Sequence, residues 1–188
     1  MSIATTFAAD KHSPPFRPAP VSSFAHKQTN APVTIAVEPY NAAEKEKPVF
    51  GKLDLYSFGV LPVLVVMQND SDKAFRLDSL KVEYIGPNGN HVEATPAPEV
   101  RYLNGPNRPV LIPGPPGLPP IGRGKKNPLN AWEVEGRAFA AKMLPPGQSA
   151  SGFVYFQTGL QRGAAIYLSG LSEAASGAGL LYFEIPLD

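Results

Sequence analysis

The sequence predicts an all-β fold, an antiparallel β-sandwich, and three observations carry that prediction. Seven or eight short apolar or alternating runs are separated by frequent turn signals, the pattern of stacked antiparallel sheets. Strand-like and helix-like runs do not alternate along the chain, so a parallel α/β arrangement is disfavoured. Between two of the runs lies Gly86-Pro87-Asn88-Gly89-Asn90, and Asn-Gly is the strongest short hairpin signal because both residues accept positive φ.

Residues 1–32 are rich in Pro, Ala, Ser and Thr, with Pro14, Pro15, Pro18 and Pro20 close together, and their few large apolar side chains show no period. The composition fits a disordered or extended N-terminal arm. A sharper version has the arm docking on a neighbouring subunit through Phe7, Phe16 and Phe24.

The β-sandwich domain is expected over 33–188. Val33–Val37 is a β-branched run, and 40–48 is a charged surface connection. Lys52-Leu53-Asp54-Leu55 alternates as a half-buried strand would. Leu61–Met67 is almost continuously apolar and predicts a central strand buried on both faces. It stops at Asn69-Asp70-Ser71-Asp72, whose side chains favour turns by bonding nearby backbone. Leu80, Val82 and Tyr84 point inward from the next strand, with Lys81 and Glu83 outward, and His91–Ala94 returns after the hairpin turn.

Residues 104–128, NGPNRPVLIPGPPGLPPIGRGKKNP, interrupt this string of strands with eight prolines, five glycines, four basic side chains and no acid. Proline lacks the N–H that a helix interior or an inner strand requires, so the segment is neither. Long connections without structure of their own are uncommon inside compact domains, which makes this one a candidate working part. It is expected as an insertion within one domain rather than a linker between two.

Beyond it, Asn130 and Glu133 have the spacing of a capping box, and Trp132, Phe139 and Met143 share one helical face. A short helix over 130–141 is expected, with an irregular strand as the alternative. Pro145-Pro146-Gly147 is a turn, and Phe153–Phe156, Ala165–Leu168 and Leu180–Ile185 are strands, with Ser176-Gly177 turning between the last two.

The formal net charge is +1, of which Arg108, Arg123, Lys125 and Lys126 of the proline-rich segment contribute +4. A near-neutral whole argues against a dedicated nucleic-acid protein, while the segment itself forms a local basic patch. The chain has no cysteine, which excludes disulfides, Cys-ligated metals and thiol nucleophiles. No apolar run approaches the roughly 20 residues of a membrane span. The start MSIATTFAAD has neither a basic n-region nor a full apolar h-region, so no intact signal peptide is expected. It fits a mature N-terminus with an added Met or a natural start.

Residues with catalytic or ligating chemistry do not converge in the sequence. His12, His26 and His91 lack metal-ligand spacing. The acids Asp70, Asp72 and Asp78 lack the EF-hand frame, and Glu133 and Glu135 are accounted for by helix capping and the helix dipole. The Gly117–Lys125 stretch fails the phosphate-loop frame, because prolines remove the N–H donors that cradle phosphate. No cofactor is expected.

The run LPVLVVMQNDSDKAF at 61–75, the segment PPGQSASGFVYF at 145–156 and the closing YFEIP at 182–186 are together similar to immunoglobulin-like β-sandwich domains of exported bacterial envelope proteins and lipoproteins. That resemblance covers roughly 33–100 and 143–188. It implies export to the periplasm, cell surface or exterior, and no catalytic residue. The chain departs from it in having no lipobox cysteine and in adding the proline-rich insertion and the Trp132 segment.

The expected function is therefore non-enzymatic binding or assembly in the cell envelope, through a protein partner or self-association. A polyproline-like chain is already extended and loses little entropy on docking. The candidate contact residues are Val110, Leu111, Ile112, Leu118, Ile121, Arg123, Lys125 and Lys126, which cover either an edge of their own sheet or a partner. The alternative is a carbohydrate-binding module with Tyr102 and Trp132, which flank the insertion, as a sugar platform.

Overall fold

The computed structural model describes residues 16–30, 32–103, 127–180 and 182–188. Among them the fold is all-β, with eleven strands in three antiparallel sheets and three short α-helices. In chain order the elements are β1 (Lys27–Asn30), β2 (Val33–Pro39), α1 (Ala43–Phe50), β3 (Leu61–Asn69), β4 (Phe75–Arg76), β5 (Lys81–Ile85), β6 (His91–Glu93), α2 (Ala97–Val100), α3 (Trp132–Gly136), β7 (Met143–Leu144), β8 (Ser149–Phe156), β9 (Ala165–Ser169), β10 (Ser172–Glu173) and β11 (Phe183–Pro186). The first sheet runs β1-β2-β3-β8, the second β10-β4-β7 and the third β11-β9-β5-β6.

The continuous apolar run of β3 follows from burial on both faces. Alternate side chains go opposite ways from a strand. Leu61, Val63, Val65 and Met67 enter a core shared with Val82 and Tyr84 of β5, Ile166 and Leu168 of β9, and Phe183 and Ile185 of β11. Leu64 and Val66 enter a second core on the other face. There they meet Val49 and Phe50 of α1, Val100 of α2, Val134 of α3 and the loop residues Leu53 and Leu55. The clean alternation of β5 reflects a strand with one buried face, with Val82 and Tyr84 in the first core.

Two side chains lock the sheets together at their edges. Gln28 Oε1 accepts from the Glu184 N–H at 2.7 Å, and Asn30 Nδ2 donates to the Tyr182 carbonyl at 2.7 Å. These bonds satisfy polar groups of β11 and its approach that would otherwise form an open edge. At the far end of β3, Asn69 is fully buried. Its Oδ1 accepts from the Ser71 N–H at 3.1 Å, the turn bond expected of this cluster. Its Nδ2 is turned toward the carbonyls of Lys73, Leu144 and Pro145, at 2.6, 3.2 and 3.0 Å.

Four local expectations are corrected. Residues 40–48 are not a mere surface connection, because 43–50 form α1. The sequence conceals it: Pro48 sits inside the helix, and only Val49 and Phe50 supply large apolar side chains. Residues 52–55 are not a strand. Leu53 and Leu55 are buried from a loop that returns beneath α1, so their alternation comes from packing without a ladder. The helix expected over 130–141 is only the five residues of α3, and its N-cap is Ala131 with no side-chain cap. Asn130 instead closes a turn, donating its N–H to the Asn127 carbonyl at 3.1 Å. Phe139 and Met143 do not continue the Trp132 face: Phe139 donates its N–H to the Phe153 carbonyl at 2.9 Å, and Met143 lies in β7.

The N-terminal segment from Phe16 onward lies on this same chain. Lys27–Asn30 pairs with Val33–Ala36 as β1, while Phe16 and Phe24 pack against the second core. Phe7 lies outside the described residues.

Candidate functional site

The sequence-predicted contact residues Val110, Leu111, Ile112, Leu118, Ile121, Arg123, Lys125 and Lys126 all lie outside the described residues. The structure does describe the ground on both sides of them. Leu103 packs against the second core and Leu129 is buried in it. Asn127 bridges the two sides: its Nδ2 donates to the Arg101 carbonyl, and its Oδ1 accepts from the Leu129 N–H at 3.0 Å. The described chain on the two sides of 104–126 is therefore held together at Arg101 and Asn127.

The two short helices that flank it are joined by an ion pair between Arg101 and Glu135. Arg101 Nε also donates to the Pro98 carbonyl at 3.0 Å, which orients the guanidinium toward α3. From beneath, the Tyr155 hydroxyl donates to the Val134 carbonyl at 2.7 Å. Burial pushes the Tyr155 hydroxyl's pKa far above its ordinary value, so it is held as a neutral donor.

Both aromatic candidates sit on this layer. Tyr102 follows α2 and is 46% exposed, and Trp132 opens α3 at 62% exposed. The Trp132 ring lies over Gly136, where a Cβ would come within 3.1 Å of Cε3. Glycine at 136 thus lets the indole lie flat along its own helix while remaining accessible.

The N-terminal segment enters on the same layer. The Phe16 ring meets the Phe153 ring at 5.6 Å between centroids, and the Arg137 guanidinium lies 5.7 Å from the Phe16 centroid. From there the chain crosses the outer face of the first sheet and leaves a cleft on either side. One, of 580 Å³, is walled by Pro18 and Pro20 and floored by Val66, Gln68, Ser149 and Ser151. The other, of 360 Å³, lies between Phe16, Arg17, Phe24, Glu38 and Tyr40. Burial, with the neighbouring Glu38 charge, pushes the Tyr40 hydroxyl up to about 12.

Sequence reasoning missed Glu46. It is fully buried in α1, accepting from the Leu55 N–H at 2.5 Å and the Tyr56 N–H at 3.0 Å. Burial pushes its carboxyl up to about 7, against the opposing pull of those two bonds. No local pattern could have flagged it, since Glu44-Lys45-Glu46-Lys47 looks like a solvated charge run. Its chemistry is that of a clamp on the 51–56 loop. Among the described residues, no group of three or more His, Asp or Glu side chains is placed to hold a metal ion, and no helix is long and apolar enough to cross a membrane.

No protein-family model matches this chain, and no curated protein does.

Proposed function

We propose that this chain is a non-enzymatic binding or assembly protein of the bacterial cell envelope, built on an immunoglobulin-like β-sandwich. In this reading the sandwich is formed by the first and third sheets, which share one core. The second core with its three short helices is an added layer that carries the contact segments. Export to the periplasm, cell surface or exterior belongs to the same proposal and rests on the resemblance of 61–75, 145–156 and 182–186 to such domains.

One observation supports the reading most. Phe16, Leu103 and Leu129, the described residues next to the N-terminal proline-rich stretch and to 104–126, all pack on the second core. Extended proline-rich chains dock with little loss of entropy, and two of them rooted on one layer make a compound contact surface for a partner chain. The test replaces 104–126 with a short Gly-Ser bridge from Leu103 to Asn127, a join that the Asn127–Arg101 bond makes feasible. Partner capture and assembly state are then compared with the full chain by affinity pull-down and light scattering. Loss of capture or assembly is expected; unchanged behaviour refutes the proposal.

A second reading, carbohydrate binding, is favoured by Tyr102 and Trp132, two exposed aromatics carried by adjoining short elements. Aromatic faces stack on sugar rings through their apolar surface. Trp132 is the sole tryptophan, so its fluorescence reports on this surface alone. A saturable emission change on titration with envelope glycans supports the platform, and a flat response across a glycan panel removes it.

A further inference from the structure

The third sheet has an outer face that the reading above leaves unused. Val82, Ile166, Leu168, Phe183 and Ile185 point into the core, so the residues between them point out. Register aligns these into one row across all four strands: Glu184 faces Tyr167, Tyr167 faces Glu83, and Glu83 faces Glu93. Tyr182, 52% exposed, stacks on Tyr167 with centroids 5.3 Å apart and planes at 26°. The row thus presents two stacked tyrosines at one end and flanking carboxylates along its length.

A stacked tyrosine pair can stabilise a sheet by itself, but the carboxylates gathered around it do not. Glu83 and Glu93 stand directly opposite each other, and like charges so placed weaken a sheet. His91 offers Glu83 a contact at 3.6 Å, and Lys81 shares the face farther along the strand. The balance remains three carboxylates to one lysine around an exposed aromatic pair.

Such a surface matches one kind of ligand. Extended proline-rich segments dock on aromatic surfaces, and basic residues flanking the prolines pair with carboxylates beside the rings. This chain contains a segment of that chemistry. Residues 104–126 hold seven prolines from Pro106 to Pro120, with Arg108 among them and Arg123, Lys125 and Lys126 following them, and no acid. The described residues on either side of it, Leu103 and Leu129, pack on the second core, and the first sheet and then the third separate them from the tyrosine face. Each sheet-to-sheet layer is about 10 Å thick, so an intramolecular contact requires the segment to wrap around the edges of two sheets, whereas a second copy's segment meets the face directly.

We propose that the Tyr167–Tyr182 face of the β11-β9-β5-β6 sheet is the docking surface for the 104–126 segment of a second copy of this chain. The contact joins unlike patches, so it links copies head to tail, into a ring where the rotation closes and into an open chain where it does not. It rests on the reading of 104–126 as a contact segment and names that segment's partner.

The experiment uses two full-length variants, one with 104–126 replaced by the Gly-Ser bridge and one carrying Glu83→Lys with Glu184→Lys. Circular dichroism checks that both are folded; Glu83→Lys also removes the Glu83–Glu93 repulsion, which favours folding. Sedimentation velocity follows mass against concentration. The wild type is expected to form a ladder of species that grows with concentration and shrinks with salt, and each variant alone to be monomeric. Mixed, the variants are expected to form dimers and nothing larger, because one supplies the face and the other the segment. A synthetic peptide of residues 104–128 is expected to bind the bridged variant and to bind the Glu83→Lys/Glu184→Lys variant at least about tenfold more weakly. A wild type that is monomeric throughout, or a charge-reversed variant that assembles like the wild type, overturns the inference. If bridging abolishes partner capture while charge reversal changes nothing, the segment's contact role stands and only its assignment to this face falls.

Discussion

Glu46 offers the sharpest test of how the second core is held. Glu46→Ala removes the acceptor for two buried N–H groups, those of Leu55 and Tyr56. Each donor left without a partner costs about 1–3 kcal/mol, so the pair costs about 2–6 kcal/mol while the wild-type carboxyl is neutral. The cost must depend on pH. The folded-state carboxyl is pushed up to about 7 from 4.5, so the native state holds a proton that the unfolded chain releases across that window. Wild-type stability is greatest at the acid end and falls as pH rises from about 4.5 to about 7. Between pH 5 and pH 8 that loss amounts to roughly 2–3 kcal/mol. Alanine has no such proton, so the penalty of Glu46→Ala is largest near pH 5 and shrinks by that amount at pH 8. Urea unfolding followed by circular dichroism at both pH values, with Glu46→Gln as the uncharged comparison, measures it. A penalty that is negligible at pH 5, or identical at the two pH values, refutes the clamp.

Three further outcomes follow from single contacts. Gly152→Ala places a Cβ 2.4 Å from Phe139 Cα and 2.6 Å from its N, against backbone that cannot rotate away; a loss of about 1–3 kcal/mol is expected, and an unshifted thermal midpoint contradicts it. Asn69→Asp turns a carboxylate toward the carbonyls of Lys73, Leu144 and Pro145. It should destabilise by at least about 2 kcal/mol at pH 7 and recover in part at pH 4, where the protonated acid again donates a bond; a pH-independent loss argues against that geometry. Tyr155→Phe removes only the bond to Val134 and should cost about 1 kcal/mol in denaturant unfolding; a cost near zero means that the bond adds no net stability.

The strands were legible because their cause is local. β3 reads as apolar on both faces since it is buried on both faces, and β5 alternates since one of its faces meets water. The Asn88-Gly89 turn was legible for the same kind of reason, with Gly89 at φ 73° supplying the conformation that Asn-Gly sequences favour. The capping box at Asn130 failed because its residues had a competing use. Asn127 ties the returning chain to Arg101, and that turn takes the Asn130 N–H before α3 begins at Trp132.

By itself the sequence determined that this chain is β-rich, where its main strands lie, and that one proline-rich, wholly basic segment interrupts them. Those properties follow from side-chain period and from proline's missing N–H, which act over a few residues. Only the tertiary structure decided that Glu46 lies buried beneath a loop nine residues away and that Gly152 makes room for the backbone at Phe139. It also decided that Glu184, Tyr167, Glu83 and Glu93 form one row. Such relations are set by which strands pair and which faces meet, and residues 83 and 184 come to share one row, on either side of Tyr167, only because β9 lies between β5 and β11.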